Sequence, residues 1–541
     1  MRSLDRLRLE RGVRALLAPW ETAAGAPRGT QGPGVTIGLV QDGDMVTHQA
    51  AGLASIELGV PIGPETCFRI ASVSKQFTCA AILLLAAEGK LSLEDPAREL
   101  LPELPDFGVK LTVAHLMHNS SGLRDMLEIM RQGGVDLGMG VGTDTLLDGI
   151  CRQRTLNFAP GTRFLYSNTN FLLLGLIVER LSGQPLARFL GHRIFAPLGM
   201  TRTAHVPDPF APVPGLATGY LPHEGGHRRA AHGFVIGGEG GLVSCVEDLA
   251  LWDRNFATGV VGGEALVRQL ETQHDFPSGV TNRYARGLRI DAWRGVRTVS
   301  HGGLWPGFRT EFLRAPEIGS TAIVITNDGG ADPAEIAHCV LDLVLEGRSG
   351  VHPVPALPAP TTLAPLAGRW IQRDAATTLD IALQEGGLAV TMGGATVRPL
   401  PLKDGRLGVT HGTILLALRP LTDGTLEIEQ DAGHTAIWHR VDTKPSLPDG
   451  LAGTYGSEEM AARWTIAVTG EDARVTIDGP VARGTVWALE PVEGDVLRLM
   501  VPSLLGKAWH DVRLVRGAEG QVTGLSVTTN RLRGVQYQRL A

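Results

Sequence analysis

The feature that most constrains this chain is a serine and a lysine three residues apart at the head of a long apolar run. Ser72 and Lys75 lead into residues 76–88, a segment that predicts a buried helix. Residues three apart lie on one face of a helix, and the positive field at a helix N-terminus favours a deprotonated hydroxyl. The Lys75 ammonium would further lower the cost of deprotonating Ser72. Ser-x-x-Lys pairs of this kind occur in enzymes that transfer acyl groups through a serine.

A chance pairing is the alternative, and lysine usage argues against it. The chain has only six lysines, at positions 75, 90, 110, 403, 444 and 507, and this is its single Ser-x-x-Lys. The pattern alone is weak, so its weight depends on whether the chain carries the other motifs of such an enzyme.

Two further motifs come in order. Tyr166-Ser167-Asn168 precedes an apolar run that predicts a second buried helix. A phenol can act as a general base where a cation lowers its pKa, and the Asn168 amide can hold a substrate amide. The alternative is a core tyrosine followed by a polar turn.

His301-Gly302-Gly303 comes after a strand-like segment. Related enzymes place a lysine and a strand of small residues beside the nucleophile, and here an imidazole replaces that lysine. Glycines such as Gly303 would let a substrate backbone approach closely. The alternative is a turn histidine with flexible glycines. The three motifs near residues 70, 165 and 300 make a joint coincidence improbable, which favours the catalytic interpretation.

These motifs resemble those of the penicillin-recognising serine hydrolases related to class C β-lactamases, and within that group the chain is most similar to the bacterial D-aminopeptidases. The resemblance spans essentially the whole chain and is stronger over the first 345 residues. It is carried by Ala71-Ser72-Val73-Ser74-Lys75-Gln76-Phe77-Thr78, Leu111-Thr112-Val113-Ala114-His115-Leu116, Ser121-Gly122-Leu123-Arg124-Asp125, Tyr166-Ser167-Asn168, His301-Gly302-Gly303 and Arg533-Gly534-Val535-Gln536-Tyr537.

The resemblance implies catalytic roles. Ser72 would be the nucleophile, and Lys75 and Tyr166 would share its activation. Which of the two is formally the base stays open, because they titrate as a coupled pair. Asn168 would orient the acyl amide. His301 would complete the polar wall and could assist protonation of the leaving group.

Two backbone N–H groups, of Ser72 and of Leu304, would form the oxyanion hole, the second carried over from its place after Gly303. Neither a metal nor an organic cofactor is implied. A loop of the last domain would enter the site and carry an acid that selects a free α-amino group. Residues 502–507 correspond to that loop here, and they contain Lys507 but no Asp or Glu.

That departure allows two interpretations. Asp511, just beyond the loop, or an acid of the first domain could bind the amine instead. Alternatively, specificity has moved and Lys507 meets a substrate carboxylate. The plain alternative is that Lys507 faces solvent.

Composition and pattern divide the chain of 541 residues. Residues 1–348 alternate strand-like and helical segments, which fits an α/β (α+β) serine β-lactamase-like sandwich around one antiparallel sheet. Residues 349–365 are proline-rich and predict a semi-rigid linker. Two halves come next, 366–443 and 451–541, each predicted as a small antiparallel β-barrel, the second contributing a loop to the active site. The halves echo each other as Leu366-Ala367-Gly368-Arg369-Trp370 with Leu451-Ala452-Gly453-Thr454-Tyr455, and as Ile437-Trp438-His439-Arg440 with Gln536-Tyr537-Gln538-Arg539.

Charge and cysteine usage bound the partners. The net charge is −6 and the pI about 6.3, so neither nucleic acid nor a membrane surface is an expected partner. The first residues are charged and lack the apolar core of a signal peptide, no stretch is long and apolar enough for a membrane span, and five widely spaced cysteines fit reduced thiols. We therefore expect a cytoplasmic protein, and a homodimer by resemblance.

The expected function is a serine hydrolase that cleaves N-terminal D-amino acids from peptides, amides or esters through an acyl-enzyme on Ser72. A broad serine esterase or a D-amino-acid amidase with altered amine specificity is the enzymatic alternative. A scaffold protein built on an inactive hydrolase fold is the alternative outside enzymes. A cell-wall carboxypeptidase and a β-lactamase are disfavoured because no export signal is visible.

Overall fold

The computed structural model of the protein describes residues 3–21, 31–136, 138–353, 356–384, 387–409, 416–430, 433–442, 445–503 and 507–540. No helix in these ranges is long and apolar enough to cross a membrane. All five cysteines are free thiols.

A six-stranded antiparallel sheet forms the centre of the first part of the chain. One face packs against the helices Ser3–Leu16 and Pro333–Leu345 through an apolar cluster. The other face packs against the remaining helices through a second, larger cluster. The predicted sandwich is therefore confirmed. In spatial order the strands are Arg289–Trp293, Val296–Trp305, Phe308–Ala315, Ser320–Thr326, Val35–Gln41 and Asp44–Ala51.

Shorter elements of this part lie around the sheet. The helices among them are Ala97–Leu100, Val113–Met117, Met126–Gln132, Thr143–Cys151, Leu186–Leu190, Ala196–Leu198, Val246–Thr258 and Gly263–Leu270. The short strands are Leu53–Ser55, Val60–Pro61, Phe68–Arg69, Ala204–His205, Tyr220–His223, Gly226–Arg229 and Leu242–Ser244.

Two buried helices position the site. The helix Ser74–Ala87 is buried on nearly all sides, as its almost wholly apolar sequence from Phe77 onward requires. It ends before Gly89, whose φ of 71° is the left-handed conformation that glycine adopts most easily. The helix Asn168–Ser182 packs alongside it. The sequence predicts both helices, although Ser72 lies in a 3-10 turn, Ala71–Val73, just before the first one.

The second part of the chain is all β. A nine-stranded antiparallel sheet curls around its own core, and the outermost strands Ala395–Val397 and Leu400–Pro401 do not pair with each other in the described residues. In spatial order its strands are Ala395–Val397, Gly387–Met392, Thr377–Gln384, Gly368–Gln372, His434–Arg440, Leu426–Gln430, Leu416–Pro420, Leu407–Gly408 and Leu400–Pro401. We call it the curled sheet. The segment before it, predicted as linker, contains a helical turn, Pro360–Leu363, that packs on this core.

A closed eight-stranded barrel completes the chain, and we call it the closed barrel. Its antiparallel strands are Gly453–Ser457, Ala462–Thr469, Asp472–Asp478, Thr485–Glu493, Val496–Val501, Ala508–Arg516, Val522–Thr528 and Val535–Arg539. Closure removes free strand edges. The predicted pair of small antiparallel β-barrels is therefore confirmed, the first as a curled sheet that forms a half-barrel and the second as a closed barrel.

The sequence echo between the two units has a structural basis. In each, an aromatic residue of the first strand donates to a carbonyl four residues earlier, and an arginine of the last strand lies over its ring. The sets are Trp370, Leu366 and Arg440 in the curled sheet, and Tyr455, Leu451 and Arg539 in the closed barrel.

Candidate active site

Ser72 and Lys75 meet at the start of the first buried helix. The Lys75 Nζ atom lies 3.0 Å from the Ser72 Oγ atom. It also donates to the side-chain oxygen of Asn168 at 3.0 Å and to the backbone oxygen of Glu239 at 2.6 Å. Lys75 is fully buried, whereas Ser72 is partly exposed. The lysine is thus enclosed behind a hydroxyl that a substrate can reach.

The turn that carries Ser72 is fixed by its neighbours. Ala71 has a φ of 48°, in the left-handed region that an L residue enters at a cost of roughly 1 kcal/mol or more. Ser74 stabilises this turn, since its hydroxyl donates to the Ala71 carbonyl at 2.6 Å and accepts from the Leu242 N–H at 3.1 Å. Ser72 is therefore held on a strained, well-bonded turn.

Asn168 is oriented by Asp125. The Asp125 carboxylate accepts from the Asn168 backbone N–H at 2.7 Å and from its side-chain amide at 3.0 Å. The amide NH₂ of Asn168 therefore faces Asp125, and its oxygen faces Lys75. Asp125 also accepts from the Leu127 N–H at 2.9 Å and caps the helix Met126–Gln132.

Tyr166 is buried between the side chains of Lys75 and Arg531. The centre of its ring lies 5.0 Å from Lys75 Nζ and 4.8 Å from the guanidinium carbon of Arg531. Burial raises the pKa of the Tyr166 phenol, and the nearby Arg531 and Ser72 side chains oppose that rise only in part. The phenol therefore stays protonated at neutral pH.

Lys75 and Glu239 are a coupled buried pair. Burial lowers the pKa of Lys75, the Glu239 carboxyl opposes this, and Arg531 adds to the lowering. Burial likewise raises the pKa of Glu239. Its carboxylate accepts from the Gly237 N–H at 2.9 Å, while its other oxygen is buried with no partner in the described residues. The site thus holds a lysine that loses its proton more easily than usual.

His301 is buried and held at both ring nitrogens. Its Nδ1 lies 2.6 Å from the Gly302 carbonyl and its Nε2 lies 2.9 Å from the Tyr284 hydroxyl. A carbonyl can only accept, so Nδ1 carries the hydrogen and Nε2 accepts from Tyr284. Burial, and then Lys75, lowers the pKa of His301 to about 3. The imidazole is neutral at physiological pH.

The strand Val296–Trp305 passes close to the nucleophile turn. A Cβ atom on Gly303 would lie 2.2 Å from the Ile70 carbonyl oxygen, so this approach requires glycine. Leu304, the next residue, exposes 44% of its surface. The predicted Gly303 and Leu304 therefore lie beside the Ser72 turn.

Lys507 is not joined to this cluster by any hydrogen bond or ion pair of the described residues. Its side chain is exposed, and its backbone lies near Gly394 of the curled sheet. Residues 504–506 of the expected loop lie outside the described ranges. The interpretation of Asp511 as an amine counter-ion is wrong, because its buried carboxylate accepts from the Thr378 N–H at 3.0 Å between the two β units.

Sequence reasoning misses four residues of the site: Asp125, Glu239, Tyr284 and Arg531. Asp125 ends the Ser-Gly-Leu-Arg-Asp motif, and Glu239 lies in a glycine-rich segment, so both have a local signal without a role. Tyr284 and Arg531 come from distant parts of the chain, and only the tertiary fold brings them here. No group of three or more His, Cys, Asp or Glu in the described part of the chain could hold a metal ion.

Comparisons with known proteins agree with this geometry. The sequence profile of the Beta-lactamase family matches residues 15–345. A D-aminopeptidase of Brucella ovis is 28% identical over 527 residues, covering 95% of this chain and 97% of its own. The octameric penicillin-binding protein homologue from Pyrococcus abyssi is similar in fold, with a TM-score of 0.56, 24% identity and coverage of 80% of this chain and 99% of its own. The D-amino acid amidase from Ochrobactrum anthropi SV3 has a TM-score of 0.53 at 22% identity, covering 64% of this chain and 100% of its own.

Proposed function

Because the chain belongs to the beta-lactamase family, we propose that it is a serine hydrolase that removes N-terminal D-amino acids from peptides, amides or esters through an acyl-enzyme on Ser72. The observation that carries the proposal is the 3.0 Å approach of a fully buried lysine amine to a reachable serine hydroxyl. The D-aminopeptidase relative, similar over nearly the whole chain, supports the substrate class.

Lys75 is the base in this proposal. A neutral amine has two hydrogens and one lone pair. The side-chain oxygen of Asn168 and the carbonyl of Glu239 only accept, so they take both hydrogens. The lone pair is then directed at the Ser72 hydroxyl. The lowered pKa of Lys75 makes the neutral form accessible near neutral pH.

Tyr166 is the acid. Its pKa is raised by burial, so it carries a proton, although the nearby Ser72 side chain lowers that pKa in part. Its hydroxyl is buried with no hydrogen-bond partner in the described residues, so it is available to the leaving group. In the acylation step Ser72 Oγ bonds to the substrate carbonyl carbon, its proton passes to Lys75, and the carbon–nitrogen bond breaks as Tyr166 protonates the leaving amine. Proton return from Lys75 to Tyr166 resets the site before water attacks the ester.

The register of the hairpin after His301 supports Leu304 as an oxyanion donor. Trp305 and Phe308 flank a two-residue turn and form a hydrogen-bonded pair. Hydrogen-bonded and non-hydrogen-bonded pairs alternate along an antiparallel ladder. Leu304 therefore lies at a non-hydrogen-bonded position, and its N–H points away from the strand Phe308–Ala315. With the Ser72 N–H it would face the developing oxyanion, where each donor contributes roughly 3–4 kcal/mol.

In this proposal His301 is an uncharged part of the wall of the site and takes no part in proton transfer. Both of its nitrogens are already bonded, to Gly302 and Tyr284, so it does not supply the leaving-group proton. Asn168 orients Lys75 first, and one hydrogen of its amide remains for a substrate carbonyl. Lys507 stays a predicted carboxylate-binding residue of the loop 502–507.

Hydrolysis of D-alanine p-nitroanilide tests the function, with the L-enantiomer and the N-acetylated D-form alongside. We expect turnover of the free-amine D-form alone, abolished by Ser72→Ala. Stoichiometric labelling of Ser72 by a fluorophosphonate or a penicillin would show the acyl-enzyme. Turnover of the acetylated form would support the esterase or amidase alternative, and no labelling would support a scaffold.

Several finer predictions belong to the same proposal. The domain limits 1–348, 366–443 and 451–541, with a linker over 349–365, would be tested by limited proteolysis. A cytoplasmic location and a homodimer stay predictions, the second open to light scattering. The octameric assembly named for the Pyrococcus abyssi protein belongs to that protein.

A further inference from the structure

The loop between the last two strands of the closed barrel is bonded to the catalytic part of the chain. We call residues 529–534 the Arg531 loop. The Arg531 carbonyl accepts from the Asp125 N–H at 3.3 Å and from the Asn157 side chain at 3.2 Å. Within the loop, the Thr529 N–H donates to the Leu532 carbonyl at 2.6 Å. The backbone of Arg531 is thus fixed beside Asp125, a residue of the active site.

The Arg531 guanidinium has no hydrogen-bond acceptor among the described residues. It lies over the Tyr166 ring, and its side chain is 30% exposed. The nearest carboxylate, Asp125, is 3.7 Å away and already accepts three hydrogen bonds, two from Asn168 and one from Leu127. A half-buried guanidinium has five N–H donors in a planar fork that matches a carboxylate. Here that fork faces the site with its donors available to a ligand.

We propose that Arg531 binds the carboxylate of the leaving group, so that the preferred substrates are dipeptides whose second residue has a free α-carboxylate. The inference rests on the proposed function and names its substrate class. Arg531 is then a specificity-determining residue supplied by the closed barrel.

The position of Arg531 selects the leaving-group side. Tyr166 delivers the proton to the leaving nitrogen, and the guanidinium lies on the ring of that same tyrosine. In a dipeptide the α-carboxylate carbon is two bonds from the leaving nitrogen, about 2.5 Å away by covalent geometry. A carboxylate there can reach Arg531 while the scissile carbonyl is at Ser72. A longer peptide or an amide has no charge at this point.

The charge of the site agrees with this assignment. Arg531 is a cation beside the phenol, and Lys75 on the other side of the ring becomes one when it takes the Ser72 proton. Of the acids near them, Asp125 already accepts three hydrogen bonds and Glu239 is buried with a raised pKa. The site therefore favours an anion over a second cation on the leaving-group side.

A matched pair of substrates tests the inference: D-alanyl-glycine and D-alanyl-glycinamide, which differ only in the terminal carboxylate. We expect kcat/KM to be about 10- to 100-fold higher for the acid, as for a charge-assisted bidentate contact. In Arg531→Met the ratio should fall to about one, and in Arg531→Lys it should fall only in part, because a point charge replaces the fork. Arg474→Met, an exposed arginine on another strand of the same barrel, should leave the ratio unchanged.

The outcomes separate the inference from the function. A wild-type ratio near one, or a ratio that survives Arg531→Met, overturns the inference while turnover of D-alanine p-nitroanilide keeps the function. No turnover of any of these substrates overturns both. Should circular dichroism show Arg531→Met to be unfolded, the wild-type and Arg531→Lys ratios decide, and an unchanged ratio in the lysine variant counts against Arg531.

Discussion

The two β units at the end of the chain share a signature and differ in how they join the rest of the molecule. Each closes with an arginine over an aromatic ring of its first strand. The curled sheet has an apolar core of its own, whereas the core of the closed barrel is continuous with that of the catalytic part. Only the closed barrel sends a described side chain, Arg531, to Tyr166. Similar folds within one chain can therefore have separate roles, set by which surface they bury.

The junction explains how the closed barrel can influence chemistry. The Trp464 indole donates to the Gln132 carbonyl at 2.9 Å, at the end of the helix Met126–Gln132. The start of that helix is capped by Asp125, which accepts from the Leu127 N–H and orients Asn168. One short helix thus connects the barrel core to the hydrogen bonds around Lys75.

The largest expected effect comes from replacing one buried tryptophan of each unit by alanine and comparing the two variants. Trp464→Ala should cost about 3–5 kcal/mol of stability and lower kcat/KM for D-alanine p-nitroanilide at least about tenfold, because the helix that it anchors carries Asp125. Trp438→Ala in the curled sheet removes an equally buried ring. It should cost similar stability and leave kcat/KM within about twofold.

Thermal unfolding and steady-state kinetics on both variants check this contrast. Equal loss of activity in the two would mean that the curled sheet also supports the site. Unchanged activity in Trp464→Ala would mean that the barrel docks without positioning Asp125.

Sequence patterns predict what local chemistry encodes. Ser72, Lys75 and Tyr166 stand in short motifs that precede apolar runs, which places them at the starts of buried helices, and His301 stands in a motif within a strand. The corresponding positions of Trp370 and Tyr455 mark the two β units, because each unit packs an aromatic ring of its first strand against an arginine of its last strand. These features depend on residues close together in sequence.

Contacts between residues far apart in the sequence could not be predicted in the same way. Arg531 reaches the site because the closed barrel docks on the helix Met126–Gln132, a contact between segments some 400 residues apart. The resemblance directs attention to the loop 502–507, in which an acid is missing. It also includes residues 533–537, at the end of the Arg531 loop, but it gives Arg531 itself no role. Tyr284 likewise has no motif, since its role is a single hydrogen bond to His301.

The pH dependence of kcat/KM tests whether the closed barrel, through Arg531, changes the pKa of Lys75. The active form of Lys75 is neutral, so kcat/KM should rise as pH increases through its pKa. Arg531 helps lower that pKa, although burial has the larger effect. Arg531→Met should therefore raise the pKa and move the acidic limb to higher pH, by less than about one unit given the partial exposure of the guanidinium. Kinetics with the uncharged nitroanilide from pH 5 to 9 measure the shift.

The exposed Arg474→Met variant is the control for that profile and should show no displacement. A shift to lower pH in Arg531→Met would contradict the assignment of Lys75 as the base that must lose a proton.

The smallest expected effect concerns the shared signature itself. Arg440 donates to the Ala367 carbonyl at 2.6 Å, and Arg539 to the Ala452 carbonyl at 2.7 Å, each over its aromatic ring. Because both arginines are partly exposed, replacement by methionine should cost only about 1 kcal/mol in either unit. Nearly equal shifts of the two unfolding midpoints, with activity unchanged in both, would show that the signature serves folding alone. A loss of activity confined to Arg539→Met would instead show that closure of the second unit is coupled to the position of Arg531, since Arg539 ends the strand Val535–Arg539 that follows the Arg531 loop.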